Sequence, residues 1–337
     1  MTLSEIARAM VAPGKGILAA DESTTTIAKR LEAVGVANSE ESRRAYREVL
    51  ITAPNLQEHI SGIILYDETL RQSTKDGRAF VSVLDAAGIL PGIKVDMGLE
   101  EMPGSPEEKL TKGLEGLPER LQEYAQIGAK FCKWRAVIAI GEGLPTDANI
   151  EENAKRLAEY ARLCQAAGLV PMVEPEVLMD GSHSIDAARD ASTRILTALF
   201  KELAAAGVAL DGIILKTSMV LPGKAERTAS PEEVAAETVA VFKKTLPDTL
   251  PGQTFLSGGQ SDEEAAANLN AIAKMGPFPW KLSFSYGRAL VSTALSTWAG
   301  KDENVAAAQK VVLHRAKMNG LASLGQYSPE LEASLGS

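Results

Sequence analysis

A handful of charged residues at the ends of apolar runs hold this sequence's capacity for chemistry. Lys216 stands toward the end of the apolar, β-branched run 210–220 (Leu-Asp-Gly-Ile-Ile-Leu-Lys-Thr-Ser-Met-Val), the pattern of a strand buried on both faces. An ammonium there costs free energy unless it is paired or gives up its proton. Two readings follow: a lysine whose stem lies on apolar surface while its head reaches water, or a neutral amine that attacks a carbonyl. The neighbouring charges favour the second. Lys133 and Arg135 are two apart, as are Glu174 and Glu176, so each pair projects to one face of its strand. Asp21, Asp67, Lys94 with Asp96, Ser257, and Tyr286 with Arg288 end further runs of the same kind. An aliphatic framework that gathers two lysines, two glutamates and an aspartate must neutralise them mutually. Lys133, as a like-charged neighbour, favours the unprotonated amine that a nucleophile requires.

Two anion sites can be argued beside that cluster. Ser257-Gly258-Gly259 offers a hydroxyl and backbone N–H groups, and Tyr286-Gly287-Arg288 adds a guanidinium at the next strand end. Ser23, Thr26, Arg30 and Lys94 form a second basic, hydroxyl-rich set. A turn explains the first set on its own, and a capped helix start explains the second. Flanking a carbonyl-seeking lysine, the two together suggest a sugar bisphosphate.

These residues need elements that bring strand ends to one place. Strand-like runs occur at 14–21, 60–67, 89–96, 130–138, 169–177, 210–220, 254–260 and 280–287. Helical segments alternate with them, at 39–52 behind Asn38 or Ser39, at 147–167, after Ser230-Pro-Glu-Glu, after Ser261-Asp-Glu-Glu, and on toward 318. Eight such units are the rhythm of a (β/α)8 barrel, whose strand ends converge on one mouth. An open doubly wound sheet is the alternative, but the glycine-rich fingerprint expected after its first strand is missing. The whole of 1–337 reads as a single barrel domain, with 97–117 a surface excursion and 321–337 a mobile tail.

Composition narrows the functional classes. Of 337 residues, 35 are Lys or Arg and 44 are Asp or Glu, a formal charge of -9, which disfavours general binding to nucleic acid or an anionic membrane. Cys132 and Cys164 are too few for a disulfide framework. The N-terminal stretch lacks a secretory pattern, and no run is long and apolar enough to span a bilayer. A soluble, cytoplasmic protein is expected. His59, His183 and His314 show no zinc-ligand spacing, so a catalytic metal has little support.

Read in order, Gly-Ile-Leu-Ala-Ala-Asp-Glu-Ser (16–23), Gly-Ile-Lys-Val-Asp (92–96), Lys-Trp-Arg (133–135), Val-Glu-Pro-Glu (173–176), Leu-Lys (215–216), Phe-Leu-Ser-Gly-Gly-Gln-Ser (255–261) and Phe-Ser-Tyr-Gly-Arg-Ala-Leu (284–290) carry a resemblance. The chain resembles class I fructose-1,6-bisphosphate aldolases across essentially its whole length. That resemblance implies a barrel lyase of glycolysis and gluconeogenesis. Such an enzyme reversibly cleaves fructose 1,6-bisphosphate into dihydroxyacetone phosphate and glyceraldehyde 3-phosphate. It implies that Lys216 forms the Schiff base at C2, Glu174 shuttles protons, Glu176 balances charge, Asp21 assists C3–C4 cleavage and Lys133 tunes the site, with Arg135 in the same motif. The C1 phosphate falls to Ser257, Gly258, Gly287 and Arg288, and the C6 phosphate to Ser23, Thr26 and Lys94. A homotetramer is implied as well, and no metal or other cofactor, because the protonated imine takes up the electrons.

The sequence departs from the family pattern in two places. Thr217-Ser218 follows the lysine where many relatives have Pro-Asn, and the tyrosine that often ends the family's tail is absent, Tyr327 lying upstream. Two other readings compete: another Schiff-base barrel, transaldolase-like or acting on a monophosphate, and an interaction protein on a barrel scaffold.

Overall fold

The computed structural model describes residues 1–333. Its first half runs α1 (Leu3–Met10), β1 (Gly16–Ala20), α2 (Thr24–Ala33), α3 (Glu40–Ile51), β2 (Ile60–Leu65), α4 (Asp67–Leu70), α5 (Phe80–Ala86), β3 (Leu90–Lys94), β4 (Leu99–Met102), β5 (Ser105–Thr111), α6 (Leu117–Ile127) and β6 (Phe131–Ile138). Then come α7 (Asp147–Ala166), β7 (Val170–Val177), α8 (Ile185–Ala205), β8 (Ile214–Thr217), α9 (Pro231–Thr245), β9 (Gly252–Phe255), α10 (Asp262–Lys274), β10 (Lys281–Tyr286), α11 (Arg288–Trp298), α12 (Val305–Ser323) and α13 (Pro329–Glu332). Eight strands pair in parallel and close in the order β1-β10-β9-β8-β7-β6-β3-β2, and helices pack around them. The expected (β/α)8 barrel is the observed one.

The helices begin where their caps dictate. Ser39, Thr146, Ser230 and Ser261 each accept a hydrogen bond from the backbone N–H three residues on. Each bond satisfies a donor that the first turn would otherwise leave unpaired, worth about 1 kcal/mol per cap. On α7 the stripe Ile150, Ala154, Leu157, Ala158 and Ala161 is buried, so its 3.6-residue period faces the barrel wall.

Strand alternation divides the barrel into an apolar floor and a charged mouth. Ile17, Phe131, Val170, Met172 and Ile214 belong to one buried cluster inside the strands, which α1 joins with Ile6, Ala7, Met10 and Val11. Val11 packs at the first residue of β9 and Leu3 at Gly212, so α1 seals the end where strands begin. Gly92 makes room for the Phe131 ring, which would lie 2.2 Å from any Cβ at that position. Two residues further along the same inward faces come the polar groups: Asp21 after Ala19, Lys133 after Phe131, Glu174 after Met172 and Lys216 after Ile214. The floor excludes water below, and the mouth collects charge above.

Four expectations need correction. The run 210–220 yields a strand only at Ile214–Thr217, because Leu210–Gly212 forms a 3-10 turn against α1. The excursion 97–117 contains the antiparallel pair β4 and β5, turned at Pro103-Gly104, where Gly104 has φ +82°. Its Glu108 is buried and accepts from the Thr146 N–H (2.9 Å) and hydroxyl (2.6 Å) ahead of α7. Tyr286 faces away from the mouth: it is buried, and its hydroxyl donates to the Ala265 carbonyl of α10. The tail expected from 321 is tied down at Tyr327 and Glu332, while Pro329, Glu330, Leu331 and Ala333 are exposed. Residues 321–323 finish α12, Tyr327 is buried with its N–H on Asn270 Oδ1 (3.0 Å), and Glu332 pairs with Arg315. Residues 334–337 of that expectation lie outside the described residues. Among the described residues no helix is long and apolar enough to cross a membrane.

Candidate active site

Strands β1, β3, β6, β7 and β8 deliver their terminal charges into one cavity of about 1160 Å³. Lys216 Nζ lies 3.0 Å from Glu174 Oε1. Lys133 Nζ sits 2.6 Å from Asp21 Oδ2, 3.5 Å from Glu174 Oε2 and 4.0 Å from Asp96 Oδ2. The side chains of Lys133, Lys216 and Glu174 are only 4 to 5% exposed, so water does little to screen these pairs. Glu174 therefore bridges the two lysines, one oxygen to each. Its Oε2 accepts no hydrogen bond among the described residues, so its contact with Lys133 is electrostatic.

Electrostatics set opposite demands on the two kinds of group. Burial pushes the Asp21 carboxyl up, but Lys133 and Lys216 outweigh it and hold the pKa down at about 2. Burial also disfavours the Lys133 ammonium, yet Asp21, Glu174 and Asp96 together raise it well above the ordinary lysine value. Lys133 is thus a fixed cation and Asp21 a fixed anion at neutral pH. Burial works against Arg135 too, and its ion pair with Glu176 overrides that and keeps the guanidinium charged.

The two sets of residues expected to bind anions also line the cavity. In the first set, β9 ends at Phe255, and the turn after it brings in Ser257 and Gly258, the latter with φ +59°. Gly287 precedes α11 without any side-chain cap, and Arg288, exposed and without an ion-pair partner among the described residues, opens the helix. Free N–H groups at a helix start, next to a guanidinium, suit a phosphate. In the second set, Ser23 caps α2, with its hydroxyl 3.1 Å from Thr26 Oγ1. Lys94 reaches Asp96 Oδ1 at 2.6 Å, and Arg30 pairs with Glu22. All fourteen residues singled out from the sequence (Lys216, Glu174, Asp21, Lys133, Glu176, Arg135, Ser257, Gly258, Gly287, Arg288, Lys94, Ser23, Thr26 and Arg30) line this cavity.

Sequence reasoning missed two supports. Asp96 touches both Lys94 and Lys133 and so links the two halves of the mouth; it was legible only as one more polar strand end. Glu22 is buried between Arg30 and Arg47, with Arg47 Nη2 at 2.9 Å, and Arg47 also donates to the Ala20 carbonyl at 2.8 Å. That buried pair fixes the backbone on either side of Asp21. The unusual Thr217-Ser218 is accommodated: their hydroxyls donate to the carbonyls of Pro175 (3.1 Å) and Val177 (2.8 Å), tying the end of β8 to β7. Tyr327 is not among the residues of the mouth.

Known proteins match this arrangement over nearly the full chain. A Xanthomonas axonopodis protein named "Probable fructose-bisphosphate aldolase class 1" is 56% identical over 328 residues, covering 96% of this chain and 98% of its own. Arabidopsis thaliana "Fructose-bisphosphate aldolase 4, cytosolic" is 51% identical, covering 95% and 82% respectively. The co-crystal structure of Plasmodium falciparum fructose-bisphosphate aldolase with TRAP and a small-molecule inhibitor superposes with a TM-score of 0.96 at 48% identity, over 97% of this chain and 95% of that one. The family model described as fructose-bisphosphate aldolase class-I matches residues 2–337. With its closed barrel and its lysine–carboxylate mouth, the chain belongs to the class I fructose-bisphosphate aldolase family.

Proposed function

We propose that the protein cleaves fructose 1,6-bisphosphate reversibly, through a Schiff base on Lys216, to dihydroxyacetone phosphate and glyceraldehyde 3-phosphate. The observation that carries this reading is the contact of Lys216 Nζ with Glu174 Oε1 at 3.0 Å inside a buried cluster. The amine has a proton acceptor at hand, and the same carboxyl can return that proton to the departing hydroxyl. Lys216 adds to the C2 carbonyl to give a carbinolamine, and loss of water, with Glu174 as acid, leaves the iminium. Asp21, ionised at neutral pH, accepts the C4 hydroxyl proton. The C3–C4 bond breaks, its electron pair passes into the iminium as an enamine, and the aldehyde half departs. Protonation at C3 and hydrolysis then release the ketone product and restore the amine.

Lys133 keeps Asp21 and Glu174 in place and neutralises charge through these steps. Glu176 performs the corresponding service for Arg135. The C1 phosphate binds at Ser257, Gly258, Gly287 and Arg288, and the C6 phosphate at Ser23, Thr26, Arg30 and Lys94, and both sets line the same cavity. A homotetramer and a cytoplasmic location belong to the same reading; the first rests on the family, the second on the relative named cytosolic. A monomeric mass by light scattering would contradict the first.

Since the iminium is the electron sink, cleavage should be indifferent to chelation. The purified protein is expected to cleave the bisphosphate at the same rate with and without EDTA, and to cleave fructose 1-phosphate less efficiently because one anion site stays empty. Loss of activity in EDTA that zinc restores would replace this mechanism with a metal-dependent one. Equal efficiency on both sugars would remove the second phosphate site.

A further inference from the structure

A lysine outside the sequence motifs stands over the Ser-Gly-Gly turn. Lys224 lies in the loop between β8 and α9. Its backbone is pinned to the segment after β7: Gly223 N–H donates to the His183 carbonyl (2.8 Å), Lys224 N–H to Met179 (2.8 Å) and Ala225 N–H to Gly181 (2.9 Å). Those bonds hold the base of the side chain still, and the side chain crosses above Gly259. A Cβ built on Gly259 would meet Lys224 Cε at 2.8 Å, Lys224 Nζ at 2.9 Å and Arg288 Nη2 at 3.7 Å. Two cations, one from the loop after β8 and one from the first residue of α11, therefore lie within 4 Å of one point beside the turn that carries Ser257 and Gly258. Gly259, at φ +102°, keeps that space clear in a conformation that other residues rarely adopt.

The partner of Lys224 is chemically replaceable. Its ammonium pairs with Asp180 Oδ1 at 3.0 Å, and the two side chains are 44% and 73% exposed. An exposed pair of this kind is weak. A phosphate dianion offers more charge and more acceptor oxygens than one solvated carboxylate.

We infer that Lys224 is a phosphate-binding, specificity-determining residue of this site, held by Asp180 in the empty enzyme and transferred to the substrate phosphate beside Ser257 and Arg288. The inference rests on the Schiff-base reading of the cavity and adds to it a ligand and a competitor for that ligand. Asp180 then sets affinity from outside the site, by the share of Lys224 it retains.

The test exploits a difference in sign. Lys224→Ala should raise KM for fructose 1,6-bisphosphate, and the inhibition constant of inorganic phosphate, about five- to tenfold, with kcat changed less than about twofold. Asp180→Asn should lower both constants, by about two- to threefold, because it frees the lysine. Lys224→Arg should recover most of the loss. If Lys224 served only to tie the loops together, both substitutions would break the same tie and move KM in the same direction. That outcome, or no change in either variant, overturns the inference. Borohydride trapping of the unmodified protein separates the two levels. Failed trapping removes the reading of the cavity, whereas successful trapping with same-sign or null KM shifts removes only the role of Lys224.

Discussion

Lys216→Met is expected to abolish turnover while the protein stays folded. Methionine keeps most of the length of the side chain and removes the amine, so no covalent intermediate can form there. Losing the nucleophile of a covalent enzyme typically costs about 10⁵- to 10⁶-fold in kcat. The fold should tolerate the change, since a linear apolar side chain replaces a buried polar one. One cost remains: Glu174 loses the partner at 3.0 Å but keeps Lys133 at 3.5 Å. Single-turnover kinetics and thermal unfolding check both halves. Residual activity within about a hundredfold of the unsubstituted enzyme would mean that another group does the chemistry.

Lys133→Met should damage stability and catalysis together. Its ammonium faces Asp21, Glu174 and Asp96, all within 4.0 Å. Removing the shared cation leaves Asp21 without its ion-pair partner and takes one of two cations from Glu174 and from Asp96, a defect worth about 3–5 kcal/mol. The pH dependence identifies the cause. Asp21 is held down to about 2 in the folded protein, below its ordinary value of 3.8. Its contribution to stability is therefore complete above about pH 4 and is lost as pH falls through about 2. The Lys133 ammonium is raised, so its contribution is complete below its ordinary value of 10.5 and fades only in strong alkali. Without Lys133, burial dominates Asp21 and its carboxyl titrates higher. Acid unfolding of the variant should accordingly begin at higher pH, and kcat at neutral pH should fall about 10²- to 10⁴-fold. An acid limb that superposes on that of the parent protein would show that Lys133 does not govern Asp21.

The parts of this site that were legible in the sequence are those where strand period decides direction. Lys133 with Arg135, and Glu174 with Glu176, had to share a face because they are two apart, and the barrel brings those faces together. The serine caps at 230 and 261 were legible because hydroxyl, proline and glutamate spacing states where a helix starts. Tyr286 was misplaced because the same period puts it on the outer face with Phe284, against the helices. Asp96 and Glu22 were not legible as supports, since their partners Lys133, Arg30 and Arg47 are set beside them only by barrel closure and helix docking. The expected tail failed for a related reason. Small, polar residues after 321 offer no periodic signal, and it is Arg315, Asn270 and Glu332 that anchor them. Lys224 lies in a loop with no motif, and only tertiary contact places it over Gly259.

The central claim is that Lys216 carries the substrate covalently. The direct measurement is borohydride reduction in the presence of dihydroxyacetone phosphate, followed by peptide mass mapping. The account predicts one stable adduct, on Lys216, and none in Lys216→Met. An adduct on another lysine, or no adduct from an enzyme that still cleaves the bisphosphate, would contradict it.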